Sequence, residues 1–301
     1  MTRLDRRLVE LHPGLSRRRA RGAIEKGQVS VDGAVVREAG REVGAGAAVA
    51  FDPNRKALPR ARCTLVVLHE DEHVIVVDKP AGLLSVPTGA GAPAGEDTAL
   101  GRVADYARRK NPRGGRAGRV HRLDRDTSGS LAFALSAEAR AGLIEAFRHH
   151  RIERVYLAIV AREPRSEAGV VDAPLRDEWR GGRRGIARGG EASLPAITRW
   201  RVRERLDGAA LLEVRLETGR QHQIRVHLAH AGLPILGDPV YGQPARGRLE
   251  RIVRRPMLHA RRLAFDHPVT GEPVVAESPL PGDFRAAMAA LRAPGPPRRA
   301  R

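Results

Sequence analysis

A loop of mostly polar residues, 120–129, carries the side chains best suited to chemistry. It reads Val-His-Arg-Leu-Asp-Arg-Asp-Thr-Ser-Gly and leads into an apolar stretch that predicts a strand. Asp124 lies between Arg122 and Arg125, whose positive charge favours the ionised carboxylate. Such a carboxylate can act as a nucleophile or a base without help from a histidine or cysteine. Asp126 is a second candidate, and the loop alone fits an ion-paired surface turn equally well.

Most other catalytic classes lack their defining residues in this sequence. There is no Gly-Lys pair for a P-loop and no Gly-x-Ser-x-Gly nucleophile elbow. Cys63 is the only cysteine, which excludes an intramolecular disulfide and a cysteine-based metal site. Three histidines cluster on a predicted helix: His222, His227 and His230. Arg220 and Arg225 lie among them without a nearby carboxylate, so we expect polar surface or RNA contact there rather than a metal.

The charge balance favours a polyanionic partner. Among 301 residues, 54 are Lys or Arg and 35 are Asp or Glu, which gives a net charge of +19. Nearly all the basic residues are arginines, whose planar guanidinium suits phosphate contacts and base stacking. A GC-rich genome explains the arginine-to-lysine ratio but not the net excess. No apolar run is long enough for a membrane helix or a signal peptide, so we expect a soluble cytoplasmic protein.

Residues 1–51 predict a small separate module. Leucine spacing favours a helix over Arg3–Leu11, and Ser16 is placed to cap a second helix over Arg17–Lys26. Residues 28–36 alternate around an Asp-Gly pair, which is typical of a hairpin. Four arginines make the second helix densely basic: Arg17, Arg18, Arg19 and Arg21. We expect this face to contact phosphate groups rather than to be only a solvated helix surface.

The rest of the chain predicts a linker, a large domain and a tail. The polar linker covers 52–62, the domain covers 63–292, and a Pro/Arg-rich tail over 293–301 is expected to be disordered. Many strand patterns and few helical ones indicate an α+β domain with a mixed, mainly antiparallel sheet. The strands predicted at 154–161 and 211–218 alternate as in a half-exposed sheet.

Several ordered motifs resemble known families. The order of helix, basic helix and hairpin in the first module resembles an S4 RNA-binding module. The loop at 120–129 is similar to the active-site loop of the RluA-type pseudouridine synthases, and further segments match that family in order. These are an opening strand and turn at 70–82, a Lys-x-Tyr-x-Ala strand in which Arg154 replaces the lysine, and a third motif at 218–227 followed by 237–242.

This resemblance implies a pseudouridine synthase fold and an RNA pseudouridine synthase that needs no cofactor. It implies that Asp124 is the essential carboxylate, that Arg220 pairs with it, and that Tyr156 packs against the detached uracil. Arg122 is expected to fill the space left by the everted base. The expected partner is structured RNA, with 23S ribosomal RNA favoured and tRNA as the alternative. The protein is expected to act as a monomer.

Two other functions fit parts of the sequence. The main alternative is a non-catalytic RNA-binding ribosome-assembly factor with a retired synthase domain. A retired site would be free to lose Asp124, Tyr156 or Arg220, and all three residues are present. A glycosidase or nucleosidase needs a second acid, which Asp126 supplies only if the loop brings both carboxylates into one pocket.

Overall fold

The computed structural model describes most of the chain, namely residues 2–36, 39–55, 65–88, 96–111, 115–179, 183–242 and 252–292. The chain divides into two compact units, Met1–Thr64 and Leu65–Arg301. The predicted linker lies mostly outside the described residues, and the predicted tail lies entirely outside them. Of the described helices, none is long and apolar enough to cross a membrane.

The first unit packs two helices against short strands. The helices are α1 (Leu4–Leu11) and α2 (Arg17–Glu25). The strands are β1 (Thr2–Arg3), β2 (Val29–Val31), β3 (Ala34–Val35), β4 (Glu42–Val43) and β5 (Val49–Phe51). Strands β3, β2 and β5 form one antiparallel sheet, and β1 pairs with β4.

Side chains and backbone angles near each boundary explain where helix α2 begins and where the chain turns between β2 and β3. Ser16 Oγ accepts the Arg19 N–H at 3.3 Å and so begins α2. Asp32 and Gly33 have φ angles of 51° and 80°, the left-handed pair that suits a two-residue hairpin turn between β2 and β3. The unit has a core of fully buried apolar side chains: Leu4, Leu8, Ala20, Ile24 and Val29.

The second unit is built on one large sheet. Its strands are β6 (Val66–Glu70), β7 (Val74–Lys79), β8 (Gly118–Arg119), β9 (Ser128–Ala134), β10 (Glu153–Val160), β11 (Ala168–Asp172), β14 (Ile197–Leu206), β15 (Ala209–Leu216), β16 (Leu258–Asp266) and β17 (Pro273–Glu277). Strands β12 (Leu175–Arg176) and β13 (Ser193–Leu194) form a separate pair. The order along the large sheet is β11–β14–β15–β10–β16–β9–β7–β6, with β17 beside β16 and β8 beside β9.

Among the described strands, β9 and β16 are the one parallel pair, and the others are antiparallel. Within the described residues of this unit, four helices accompany the sheet: α3 (Ala99–Lys110), α4 (Ala137–Arg148), α5 (Gln223–His230) and α6 (Gly282–Arg292). The predicted α+β class, with a mixed and mainly antiparallel sheet, is confirmed.

Apolar side chains are buried on both faces of the sheet. In β9, Leu131 and Phe133 belong to one core cluster, whereas Ala132 and Ala134 belong to another. Strands β10 and β15 are also buried along most of their length. The prediction of a half-exposed sheet is therefore wrong for these two strands, because segments from elsewhere in the chain cover both faces.

Gly129 lets the candidate loop enter the sheet. It has a φ angle of 117° and pairs with Ala260 across the parallel contact between β9 and β16. A Cβ atom at this position would lie 2.2 Å from the Ala260 carbonyl oxygen. The strand that follows the loop can therefore approach its neighbour only with a glycine at this point.

Gly129→Ala is expected to lower the free energy of unfolding by about 2–4 kcal/mol, because backbone strain adds to the clash. Gly282→Ala is the control, since no heavy atom lies within 4 Å of its added Cβ. We expect the control to change stability by no more than about 0.5 kcal/mol. Urea denaturation measures both variants. Equal free energies of unfolding for Gly129→Ala and Gly282→Ala would contradict the close approach of Gly129 to Ala260.

Candidate active site

The loop before β9 forms one wall of a cleft of about 400 Å³. The end of α4, the start of β10 and residues 219–225 line the other sides. Asp124, Tyr156 and Arg220 all line this cleft, so the predicted catalytic residues meet in one place. Arg122 lines it as well, and its exposed side chain makes no hydrogen bond to any residue that the structure describes.

Hydrogen bonds fix the backbone that carries Asp124. The buried Ser85 hydroxyl donates to the Leu123 carbonyl at 2.8 Å and lies 3.0 Å from the Leu123 N–H. On the other side, the Thr127 N–H donates to the Asp124 carbonyl at 3.1 Å. Asp126, the competing acid, is not among the residues that line the cleft. The loop therefore presents one of its two carboxylates to the cleft.

Lys79 supports the same loop, although the sequence indicated only a bend at this position. Its side chain is fully buried, and Nζ donates to the carbonyl oxygens of Pro80, Leu83 and Arg125 at 2.8–2.9 Å. Burial lowers the pKa of Lys79 to about 7, while the nearby carboxylates, Asp126 above all, act in the opposite direction. The lysine thus ties the turn after β7 to the residue that follows Asp124.

The two oxygens of the Asp124 carboxylate have different surroundings. Oδ2 accepts a hydrogen bond from Arg225 Nη1 at 3.2 Å and lies 3.8 Å from His222 Nε2. Within the described part of the chain, no side chain or backbone group donates a hydrogen bond to Oδ1. The Asp124 side chain is 19% exposed. One oxygen is therefore held by a positive charge, and the other remains open to the cleft.

The predicted ion pair between Asp124 and Arg220 is wrong. Arg220 lines the cleft, but its Nε donates to the Pro195 carbonyl oxygen at 3.1 Å. The partner of Asp124 is Arg225, on the first turn of α5. His222 has a φ angle of 59° and turns the chain just before the helix begins. Because of this turn, a guanidinium on the helix faces the loop, and the guanidinium that precedes the turn does not.

A second carboxylate holds Arg225 in place. Its Nε and Nη2 form a bidentate pair with Asp238 at 2.6 and 2.8 Å, and the Asp238 side chain is fully buried. Asp238 also accepts the N–H groups of Val240 and Tyr241. Burial opposes the charge of both partners. Their mutual hydrogen bonds nevertheless raise the pKa of Arg225 above its ordinary value. The same bonds lower the pKa of Asp238 below its ordinary value.

His222 completes the charged end of the cleft. Its Nδ1 lies 3.0 Å from the Tyr241 hydroxyl, which accepts the Arg184 N–H at 2.9 Å. The Tyr241 hydroxyl therefore links the imidazole to the backbone at Arg184. Burial lowers the pKa of His222, although the Asp124 charge opposes the shift. Burial therefore favours the neutral imidazole, whereas the Asp124 carboxylate favours the charged one.

Tyr156 and Arg154 line the cleft from β10. Tyr156 is 7% exposed, and burial raises the pKa of its phenol, which therefore stays protonated. Arg154 donates to the carbonyl oxygens of Leu216 and Glu217 at 3.4 and 3.2 Å, and its guanidinium lies over the Phe147 ring. The arginine that replaces the family's lysine therefore holds the chain just before the third motif.

The four arginines of α2 divide into two pairs. Arg17 and Arg21 donate to the fully buried carboxylate of Asp5 at 3.1 and 2.8 Å. Burial alone raises the pKa of Asp5, but these hydrogen bonds give a net lowering. Arg18 and Arg19 are exposed and form no ion pair with the residues that the structure describes. Of these four arginines, Arg18 and Arg19 are therefore the two that are fully available to a ligand.

His227, which the sequence places on polar surface, is fully buried. Its ring nitrogens lie 2.9 Å from the Thr198 hydroxyl and 2.9 Å from the Ala173 carbonyl oxygen, so it is a structural residue. Among the described residues, no three His, Cys, Asp or Glu side chains are grouped to hold a metal ion.

Comparison with known proteins defines the class to which this fold and cleft belong. A family described as RNA pseudouridylate synthase matches residues 73–230, and an S4 domain matches residues 2–49. The chain is 39% identical to ribosomal large subunit pseudouridine synthase D of Xanthomonas campestris pv. campestris, over 96% of this chain and 89% of that protein. The Pseudomonas aeruginosa protein of the same name is also 39% identical, over 96% of this chain and 92% of its own length.

A solved structure supports the same conclusion. Human RNA pseudouridylate synthase domain containing 4 is similar with a TM-score of 0.63 and 27% identity, over 75% of this chain and 93% of that chain. The chain belongs to the RNA pseudouridine synthase family, and it is an isomerase whose catalytic domain follows an S4 domain. The predicted family and activity are confirmed, and a non-catalytic assembly factor is not favoured.

Arg225→Met is expected to lower the free energy of unfolding by about 3–5 kcal/mol, because it leaves the buried Asp238 carboxylate unpaired. Arg220→Met is the matched control, and we expect it to cost about 1 kcal/mol or less because it removes one backbone contact. Urea denaturation at pH 7 measures both.

Lowering the pH should reduce the difference in unfolding free energy between wild type and Arg225→Met. The ion pair lowers the pKa of Asp238, so its contribution is complete at neutral pH and is lost as the folded carboxylate takes up a proton. The gap between wild type and Arg225→Met should therefore narrow below about pH 4. Equal losses for the two arginine variants at pH 7 would contradict the assignment of Arg225.

Proposed function

We propose that this enzyme converts uridine to pseudouridine in large-subunit ribosomal RNA and that Asp124 is its essential carboxylate. The observation that supports this most directly is the carboxylate itself, with Oδ2 bound to Arg225 and Oδ1 open to the cleft. Relatives named ribosomal large subunit pseudouridine synthase D align with nearly the whole chain, which supports the ribosomal substrate. We therefore also propose that the enzyme acts in the cytoplasm, where ribosomal RNA is modified.

The reaction needs an ionised oxygen at the sugar. The C1′–N1 bond breaks, the uracil turns, and a C1′–C5 bond forms, while C5 loses a proton and N1 gains one. Oδ1 of Asp124 either adds to C1′ or removes a ribose proton, and both routes require the charged carboxylate. Arg225 stabilises this charge through Oδ2 without blocking Oδ1, and His222 Nε2 lies 3.8 Å from the same Oδ2.

Two further residues handle the base. The target uridine leaves its stack before the ribose reaches Asp124, and this unstacking costs energy. Arg122, exposed at the cleft, stacks in the space that the base leaves. The Tyr156 ring packs against the detached uracil, because a flat apolar contact holds the base while still letting it turn.

Asp124→Asn should abolish pseudouridine formation, with a rate loss of roughly 10⁴-fold or more, because the amide cannot supply the ionised oxygen. The fold should be unchanged, since Arg225 keeps its bidentate pair with Asp238. Chemical mapping of pseudouridine in deproteinised ribosomal RNA and tRNA measures the product and identifies the substrate.

Asp126→Asn is the matched control, because it removes the same charge from the same loop outside the cleft lining. We expect this variant to retain most of the activity. Appreciable product from Asp124→Asn would refute the role of the carboxylate. Product in tRNA alone would refute the ribosomal substrate.

We also propose that Arg18 and Arg19 contact RNA phosphates, whereas Arg17 and Arg21 mainly stabilise the first unit. Replacing Arg18 and Arg19 by alanine should reduce the slope of log affinity against log salt concentration by about 2, one for each phosphate contact. The unfolding midpoint should not change. Filter binding over a salt series and thermal unfolding measure the two effects.

The paired variant Arg17→Ala with Arg21→Ala is the control. It leaves the buried Asp5 without two of its partners, and we expect a loss of about 1–2 kcal/mol in stability. Its effect on the salt slope should be smaller than that of the exposed pair. Identical salt slopes and identical stabilities for the two double variants would contradict this division.

A further inference from the structure

Trp179 is a large aromatic side chain left in solvent near the cleft. The chain has two tryptophans, of which Trp200 is 9% exposed and Trp179 is 40% exposed. An indole this exposed leaves apolar surface in water, and exposed aromatic rings are typical of binding sites.

The ring is held in place by its neighbours. The Arg184 guanidinium lies over the indole at 5.8 Å from the ring centroid. Arg184 is buried, and its Nη2 donates to the Asp177 carbonyl at 3.2 Å. The His222 ring meets the indole edge-on at a centroid distance of 5.0 Å. The Arg184 cation therefore lies over the Trp179 ring and His222 contacts it edge-on, while 40% of the residue stays exposed to solvent.

The position of the ring relates it to the reaction. His222 contacts Trp179 on one side, and its Nε2 lies 3.8 Å from Asp124 Oδ2 on the other. A single imidazole therefore separates the indole from the carboxylate that acts on the target ribose. A nucleotide beside the everted uridine would pass within reach of the indole.

We propose, on the basis of the ribosomal RNA function above, that Trp179 stacks on an unpaired base next to the target uridine. Single-stranded bases are commonly bound on aromatic rings, and such stacking tolerates any base. This contact adds a flanking-nucleotide subsite to the cleft.

Fluorescence gives the first test, with deproteinised total RNA from a strain that lacks the gene as the probe. In the Asp124→Asn protein, RNA should quench tryptophan emission and protect it from acrylamide. The same protein with Trp179→Phe retains only Trp200 and should show neither effect. RNA that binds without changing the Trp179 signal would overturn the proposal.

Reaction rates give the second test on the same RNA. Trp179→Leu keeps an apolar side chain but removes the ring, and we expect kcat/KM for pseudouridine formation to fall about tenfold or more. Trp179→Phe should lose less, because phenylalanine retains a ring. Val170→Ala, on the exposed face of β11, is the surface control and should match wild type. Trp179→Leu within twofold of wild type would overturn the proposal.

The two proposals fail in different ways. Mapping the modified positions shows whether wild type acts on large-subunit ribosomal RNA or on another RNA, which tests the substrate. The ratio of the Trp179→Leu rate to the Trp179→Phe rate is measured at whichever uridine wild type modifies. If wild type modifies none, the proposed function fails, while the fluorescence test still reports on stacking.

Discussion

Arg225 shares one positive charge between two carboxylates, and the geometry of the cleft depends on this bridge. Asp238 is fully buried and occupies two donors of the guanidinium, whereas the partly exposed Asp124 accepts a third. A bidentate pair restricts rotation of the guanidinium, so the third donor points in a fixed direction. Oδ2 of Asp124 is thereby held, and Oδ1 keeps no hydrogen-bond donor among the described residues. A buried ion pair in this way positions a partly exposed carboxylate.

The backbone around Asp124 is positioned from the interior as well. Lys79 and Ser85 are both buried, and they bond to main-chain groups on either side of the aspartate. Gly129 then allows the chain to enter the sheet directly after the loop. In the proposed reaction, preorganisation of this kind lowers the cost of bringing the Asp124 carboxylate to the ribose, because little has to move when the substrate binds.

Sequence patterns predicted the structure well where the determinants are local. The helix cap at Ser16 and the turn at Asp32 are each specified by a few neighbouring residues, and both are present. The family motifs identified the activity and the loop that carries the carboxylate. They did not distinguish Arg220 from Arg225, because the choice depends on the left-handed turn at His222 and on a buried aspartate further along the chain. Burial of both sheet faces was missed for the same reason, since the covering segments are distant in sequence.

A crystal structure of the Asp124→Asn protein bound to its ribosomal RNA substrate would show whether the residue at position 124 meets the ribose of an everted uridine. We expect an everted uridine whose ribose lies within about 3.5 Å of the side chain at position 124. We also expect Arg225 to remain paired with Asp238. A target uridine that stays stacked in its helix, or a ribose placed against Asp126 instead, would rule out Asp124 as the essential carboxylate.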